Sequence, residues 1–361
     1  MRVRYDGQVF VWQRQGGISR YFVELIRAFI ESPELGVETE LGWQWTCNAH
    51  ALEASFGRRL RVLGGSRRAV LRWANRASAM TSRSADLIHH TYYQPEYLKP
   101  HAPPMVVTVH DMIPELFPDL FPKGNPHQWK QEYVRRARVV LCVSENTRRD
   151  LVRVYGAIEP PTVVTHLGVG DGFAPGAHRP PWCPDRYVLF IGNRGGYKGF
   201  RVALESFAEL APLQPDTFLL AIGGGPFTQD EDALISRWGL RNRVTQRSAS
   251  DEELPGVYGG AKAFVFPSRY EGFGLPVLEA MACGTPTVLA DSSSFPEVGG
   301  NAALYFPTGD SSALAVQLHR LFADSELHRD LTAKGLARAR HFSWRRTALD
   351  TVDGYRIAVA S

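Results

Sequence analysis

The chain has 361 residues, 44% of them hydrophobic and 22% charged, with a net charge of +4. That length exceeds one ordinary core and suits two domains, and the composition excludes a disordered or low-complexity polymer. The mild basic excess fits anionic small ligands or an anionic surface. It does not call for nucleic acid, and no zinc-finger spacing or aromatic RNA signature accompanies it.

In chain order, residues 3–5 and 9–12 read as strands, with no signal-peptide pattern ahead of them. Residues 18–30 read as the first helix, with apolar positions at 18, 22, 25, 26, 29 and 30. Residues 54–85 carry eight arginines and no acid. Within them Arg68, Arg72 and Arg76 recur every four positions, while Val70, Trp73, Ala77 and Met80 fall on another face. That is a basic amphipathic helix, either an ordinary surface helix or a contact for anionic lipid or a lipid-diphosphate acceptor through residues 58–83. The runs MVVTV at 105–109 and VVLCV at 139–143 suit strands buried on both faces, and Ser144 suits the cap of the helix that follows.

Residues 168–184 are rich in Gly and Pro and read as a linker. The strand–helix alternation then restarts with strands at 187–191, 218–222, 263–266 and 287–290, and a capping box at Ser250-x-x-Glu253. A last helix over 342–359 is capped at Ser343. Alternation of this kind predicts α/β architecture with two doubly wound parallel-sheet domains, residues 1–168 and 169–342, and the terminal helix (343–361) packing back on the first. Ligands of such sheets bind at the strand C-terminal ends, so the expectation is a cleft between two facing domains, with hinge closure on the ligand.

The sharpest motif is EGFGLPVLE, which sets Glu271 and Glu279 eight positions apart. It follows a strand and crosses a Gly-containing turn. It then enters a helix at Pro276, so Gly272, Phe273, Gly274 and Leu275 form the helix N-terminus, a natural seat for a diphosphate. Upstream, GNRGGYKG at 192–199 offers Arg194 and Lys198, and GGGP at 223–226 offers a tight turn at Gly224. In the first half, Gly16-Gly17 opens a helix, where a backbone without Cβ permits close approach. His110-Asp111 ends a buried strand.

Taken together these elements resemble glycosyltransferase family 4, the retaining enzymes of GT-B fold, over nearly the whole chain. The resemblance implies that Glu271 contacts the transferred sugar, Glu279 the ribose, and Arg194 and Lys198 the donor diphosphate, with Gly16 and Gly17 close to the donor. It places His110 beside the transferred sugar. Asp111 is read as either orienting that histidine or capping the loop. His166, in the linker entry, is read as structural. The resemblance further implies front-face attack with retention, the leaving phosphate accepting the proton and no protein nucleophile. The details are similar to bacterial enzymes building mannose- or rhamnose-containing polysaccharides. The expected donor is therefore GDP-mannose or a GDP-deoxysugar and the acceptor a glycan or a lipid-diphosphate-linked acceptor, with a UDP-sugar and a small-molecule acceptor as the alternative.

No Asp-x-Asp element ends a strand where it could hold a divalent cation, so neither metal nor cofactor is expected. The scattered cysteines (Cys47, Cys142, Cys183, Cys283) and the lack of a roughly 18–20-residue apolar run predict a cytoplasmic protein. A phosphorylase-type enzyme, a nucleotide-sugar epimerase, a nicotinamide dehydrogenase and a non-catalytic sugar-nucleotide-binding protein are the rivals. The dehydrogenase predicts a G-x-G-x-x-G after the first strand, which the sequence lacks.

Overall fold

A computed structural model of the chain describes residues 1–43, 45–59, 67–78, 84–98 and 103–360. These residues form two compact units, Met1–Gly168 together with the C-terminal stretch from Trp344, and Val169–Ser343.

The first unit is built on a six-stranded sheet: β1 (Arg2–Tyr5), β2 (Glu38–Leu41), β3 (Leu87–His90), β4 (Met105–Val109), β5 (Val139–Cys142) and β6 (Thr162–Val164). Its order is β2-β1-β3-β4-β5-β6 and every pairing is parallel. The β-branched runs of β4 and β5 sit at the centre because helices cover both faces, and Val106, Val107, Val109, Val139 and Val140 are buried. Helix α1 (Gly17–Glu31) turns Tyr21, Phe22, Leu25, Ile26 and Phe29 inward at helical spacing.

Residues 9–12 are not a strand. They belong to a short helix, Gln8–Trp12, with Gln8, Val9, Phe10 and Val11 all buried. Burial at consecutive positions does not follow the two-residue period of a half-exposed strand, and Asp6 Oδ1 accepts from the Gln8 amide (3.2 Å), turning the chain there. Helix α2 (Arg67–Ser78) occupies part of the arginine-rich segment and leaves Trp73 74% exposed. Residues 60–66 and 79–83, Met80 included, and the side chains of Arg68, Arg72, Arg76 and Ala77 lie outside the described residues. Helix α3 (Glu145–Tyr155) is capped by Ser144 Oγ, which accepts from the Thr147 amide.

The second unit holds β7 (Tyr187–Ile191), β8 (Phe218–Ile222), β9 (Val244–Arg247), β10 (Ala263–Phe266), β11 (Thr287–Ala290) and β12 (Ala303–Phe306). They form a parallel sheet of order β9-β8-β7-β10-β11-β12. Strand order reverses between β7 and β10, as it does between β1 and β3 in the first unit. In open α/β sheets such switch points are where ligands bind. The helices used below are α4 (Phe200–Leu210), α5 (Gln229–Arg237), α6 (Leu275–Ala282) and α7 (Ser325–Ala339). At Ser250 both capping-box bonds form, but they close a turn and the helix begins at Leu254.

The chain then returns to the first unit as α8 (Trp344–Ala360). Gly354 lets it lie close on β5, since a Cβ there would come within 2.7 Å of Leu141. Tyr355 is its polar anchor. The hydroxyl lies 2.7 Å from Tyr5 Oη and 2.7 Å from His89 Nδ1, and His89 Nε2 lies 2.8 Å from Thr108 Oγ1. This chain of hydrogen bonds is fully buried and supplies partners to four side chains that would otherwise be costly to bury. Among the described residues no helix is long and apolar enough to cross a membrane.

Candidate active site

The two loops that leave the switch-point strands of the second unit, residues 192–199 after β7 and 267–274 after β10, meet. Gly199 makes the approach possible. Its φ is +71°, and a Cβ would stand 2.3 Å from the Pro267 carbonyl oxygen. The Arg269 amide donates to the Tyr197 carbonyl (2.8 Å), tying the loops by backbone. Lys198 Nζ donates to Glu271 Oε1 at 2.6 Å. The ammonium also sits over the Tyr197 and Phe266 rings, at 5.1 and 5.5 Å. Both side chains stay partly open to solvent, 19% and 12%. Beneath the loop, the Glu271 amide donates to Ser293 Oγ (3.1 Å), and the Ser294 hydroxyl donates to the Glu271 and Phe273 carbonyls (3.0 and 2.7 Å). The backbone under Glu271 is thus fixed while its carboxylate faces a cation.

Gly272, Phe273, Gly274 and Leu275 carry the chain into α6. Gly274 is the N-cap, at φ +104°, and Phe273 packs edge-on against Phe342 (5.9 Å). The positive end of the helix therefore opens beside Glu271. Glu279, on α6, is only 4% exposed, and its Oε2 accepts from the Tyr258 hydroxyl at 2.8 Å. Tyr258 is itself set by Thr285, whose hydroxyl donates to the Tyr258 carbonyl (2.6 Å). No sequence signal marks Tyr258, because its tie to Glu279 exists only in the packed fold.

Arg194 is placed differently from the expected diphosphate cation. Its side chain is 3% exposed. Nε and Nη2 donate to Glu231 (3.0 and 3.2 Å), Nη1 to the Gly223 carbonyl and Nη2 to the Pro226 carbonyl, both at 2.6 Å. Phe200 and Phe227 flank the guanidinium at 5.5 and 4.9 Å. Glu231 also completes the capping box of α5 with Thr228. Arg194 thus straps the 192–199 turn to the 223–226 turn, and a Cβ at Gly224 would come within 2.8 Å of Nη1. The sequence placed a cation here, but Glu231, 37 positions on, claims its donors.

In the first unit, Gly16 and Gly17 open α1. A Cβ at Gly17 would have no protein atom within 4 Å among the described residues, whereas one at Gly16 would meet Gln13. His110 follows β4, and its ring stands edge-on to Tyr21 and Phe22 (4.9 and 5.8 Å). Its Nε2 is sealed from solvent with no hydrogen-bond partner among the described residues. Burial holds the imidazole neutral, pulling its pKa down to about 3. Asp111 accepts from the Ile113 amide (2.9 Å). Burial would raise its pKa, but the nearby Lys130, with other contributions, holds the carboxyl below its ordinary value. Lys130 is fully buried and braces this loop, donating to the Asp111 carbonyl (2.8 Å) and to Glu115 Oε2 (2.9 Å).

A second buried cluster marks the β1/β3 switch point and has no counterpart in the sequence reading. Asp6 accepts from His90 Nδ1, Gln8 Nε2 and the Thr91 hydroxyl and amide. Burial pushes the Asp6 pKa up, and these hydrogen bonds and the histidine outweigh it, so the carboxyl stays ionised more readily than usual. His166 contributes its carbonyl to the Thr347 hydroxyl (2.7 Å), at the start of α8. Among the described residues no group of three or more His, Cys, Asp and Glu is arranged to hold a metal ion.

Residues 183–338 match the family model described as glycosyl transferases group 1, and residues 15–171 match Glycosyltransferase Family 4. The chain is 30% identical over 293 residues to O-antigen chain mannosyltransferase B of Escherichia coli, covering 75% of each protein. It is 31% identical over 227 residues to a GDP-mannose-dependent alpha-(1-6)-phosphatidylinositol monomannoside mannosyltransferase of Mycolicibacterium smegmatis, covering 57% of this chain and 58% of that one. In fold it is similar to Anabaena HepE, solved with UDP and glucose, with a TM-score of 0.74 at 18% identity over 99% of each chain. With Lys198 and Glu271 joined at the switch point and α6 opening beside them, the chain belongs to glycosyltransferase family 4 and is a glycosyltransferase of GT-B fold.

Proposed function

We propose that this glycosyltransferase moves a hexose, with retention, from a nucleotide-diphosphate sugar to a glycan or lipid-linked acceptor in cell-surface polysaccharide synthesis. GDP-mannose or a GDP-deoxysugar is the favoured donor. The observation that carries the reading is the Lys198–Glu271 pair, set beside the N-terminus of α6. Lys198 and the helix end offer positive charge to the diphosphate, and Glu271 offers a carboxylate to a sugar hydroxyl. Glu279, oriented by Tyr258, accepts from the ribose. Gly17 offers backbone with open space beside it, which suits close approach of the donor.

In this reading the acceptor oxygen bonds to the anomeric carbon as the bond from that carbon to the diphosphate breaks. The leaving phosphate oxygen takes the acceptor's proton, so no side chain serves as nucleophile. His110, neutral at every physiological pH, shapes the sugar site as a hydrogen-bonding group rather than as an acid. No metal or other cofactor enters the reaction, since Lys198 and α6 supply the charge. Loss of turnover in EDTA, restored by magnesium or manganese, would overturn that part.

The names of the mannosyltransferase relatives favour a mannose-type donor. A UDP-sugar is the second reading, favoured by the UDP in the HepE structure. Thermal-shift screening of nucleotide diphosphates, followed by measuring their release from a donor panel, decides between them. Release from no sugar nucleotide would sink the reading. The exposed Trp73 on a helix rich in arginine also supports a peripheral membrane contact through residues 58–83, on the cytoplasmic face. Flotation with anionic vesicles tests it, and failure to bind at low salt removes it.

A further inference from the structure

Away from the loops of residues 192–199 and 267–274, the second unit has a cavity of about 270 Å³ lined by Arg186, Lys262, Phe322, Ser325, His328 and Arg329, together with Leu321. Arg186 directly precedes β7 and Lys262 directly precedes β10. The cavity is therefore at the strand ends opposite Lys198 and Glu271, about 16 Å away along β7.

Three cations converge on this cavity, and no carboxylate lines it. The Arg186 guanidinium is held in place from the side, stacked over Phe322 (5.1 Å) and donating to Gln214 Oε1 (3.0 Å). Its Nε is buried with no partner among the described residues. Lys262 and Arg329 are exposed and form no ion pair among the described residues. Ser325 begins α7, a 15-residue helix, and contributes its hydroxyl to the lining. The acids of that helix are turned to other work. Asp324 caps it, accepting from the Glu326 and Leu327 amides, and Asp330 pairs with Lys334 at 2.7 Å. Glu326 is exposed on the first turn and does not line the cavity. His328 donates from Nε2 to the Lys262 carbonyl (3.2 Å). Burial and the neighbouring Lys262 hold its pKa below the ordinary value.

Like charges gathered around one cavity repel, and that repulsion is relieved by a bound anion. An arginine fork, an ammonium and a hydroxyl together match tetrahedral oxyanions. We propose that this cavity is a second ligand site of the protein, taking a phosphomonoester separately from the donor. Phe322 and Leu321 add apolar lining for the carbon skeleton of an organic phosphate.

Isothermal titration of the full chain at low ionic strength tests it, with inorganic phosphate and a hexose 6-phosphate as free ligands. Flotation with vesicles containing phosphatidic acid distinguishes a lipid headgroup from a soluble source. Binding of at least one probe is expected to survive Lys198→Ala, which disables the donor site, and to weaken at least tenfold in Lys262→Glu/Arg329→Glu. Both substitutions are at exposed positions, and an unchanged thermal midpoint checks the fold. Independently, the imidazole proton shifts of His328 should report a pKa that rises when the probe is added. Binding that is lost in Lys198→Ala but kept in Lys262→Glu/Arg329→Glu overturns the proposal, as does binding of none of the probes. Neither result overturns the donor reading: loss in Lys198→Ala would place the phosphate at the donor site, and absence of binding by these probes leaves the release of nucleotide diphosphate to test it.

Discussion

Lys198 Nζ and Glu271 Oε1 lie 2.6 Å apart although 73 positions separate them in the chain, and each residue leaves one of the two central strands of the second sheet. Each group satisfies the other, and in the proposed reading a donor's diphosphate and sugar hydroxyl replace both partners. If Lys198 stabilises charge developing in the transition state, as proposed, Lys198→Ala removes that cation. We expect kcat to fall by about 10²–10³, a loss larger than any change in donor KM. Glu271→Gln should also lower kcat, and the double variant should lose less than the product of the singles. Steady-state release of nucleotide diphosphate measures all three. Full additivity would show that the two groups act separately.

Arg194 and Glu231 give a contrasting pair. If the guanidinium straps two turns together, Glu231→Gln should reproduce much of the effect of Arg194→Ala. Each should destabilise the second unit by about 3 kcal/mol, because each leaves a buried charge without its partner. Thermal midpoints of the variants and of the double variant check this, with strong non-additivity expected. A neutral Glu231→Gln with a damaged Arg194→Ala would return Arg194 to the role of a direct phosphate ligand.

Two glycines separate an open backbone position, proposed to face the donor, from a packing constraint. At Gly199 an added Cβ would meet the Pro267 carbonyl in a left-handed conformation, so Gly199→Ala should unfold or strongly destabilise the loops. At Gly17 the space is open on the protein side, and Ala favours a helix by up to about 1 kcal/mol. Gly17→Ala should keep or slightly raise the thermal midpoint while raising donor KM. Unaltered KM would remove Gly17 from the donor site.

His89, fully buried, and His110, partly buried, should set the acid limit of the first unit. Burial is the main cause that brings both His89 and His110 to about 3, far below the ordinary 6.5. The unfolded chain takes up these protons first, so the stability contributed by the neutral rings is complete above about pH 6.5. It is lost as pH falls toward 3. At about pH 5 each histidine should cost about 2 kcal/mol relative to neutrality. Denaturant unfolding at about pH 7.5 and pH 5 should show the loss, and the imidazole shifts in the folded protein should stay flat across that range. A native-state titration near pH 6.5 for either ring would contradict it.

Much of the fold was legible because buried parallel strands announce themselves. MVVTV, YVLFI, FLLAI, AFVF and TVLA match β4, β7, β8, β10 and β11 residue for residue. The edge strands were harder. Val244–Arg247 and Thr162–Val164 are short and partly exposed, so their sequences carry little continuous apolar signal. Gln8–Trp12 was misread because a short apolar run fits a strand or a buried helical turn equally, and the Asp6 contact that turns it is visible only in the fold.

By itself the sequence determined the repeated strand–helix alternation, the Gly-rich turns after particular strands, and the glutamate pair around a helix start. These are local facts, fixed by side-chain periodicity and by backbone geometry that a few residue types permit. Only the tertiary structure decided how the motifs are used. Lys198 faces Glu271 because strand order brings β7 beside β10. Arg194 is taken by Glu231, and Glu279 is held by Tyr258. A charged group's role depends on which partner reaches it first and how far water is excluded, and both are set by residues distant in the chain.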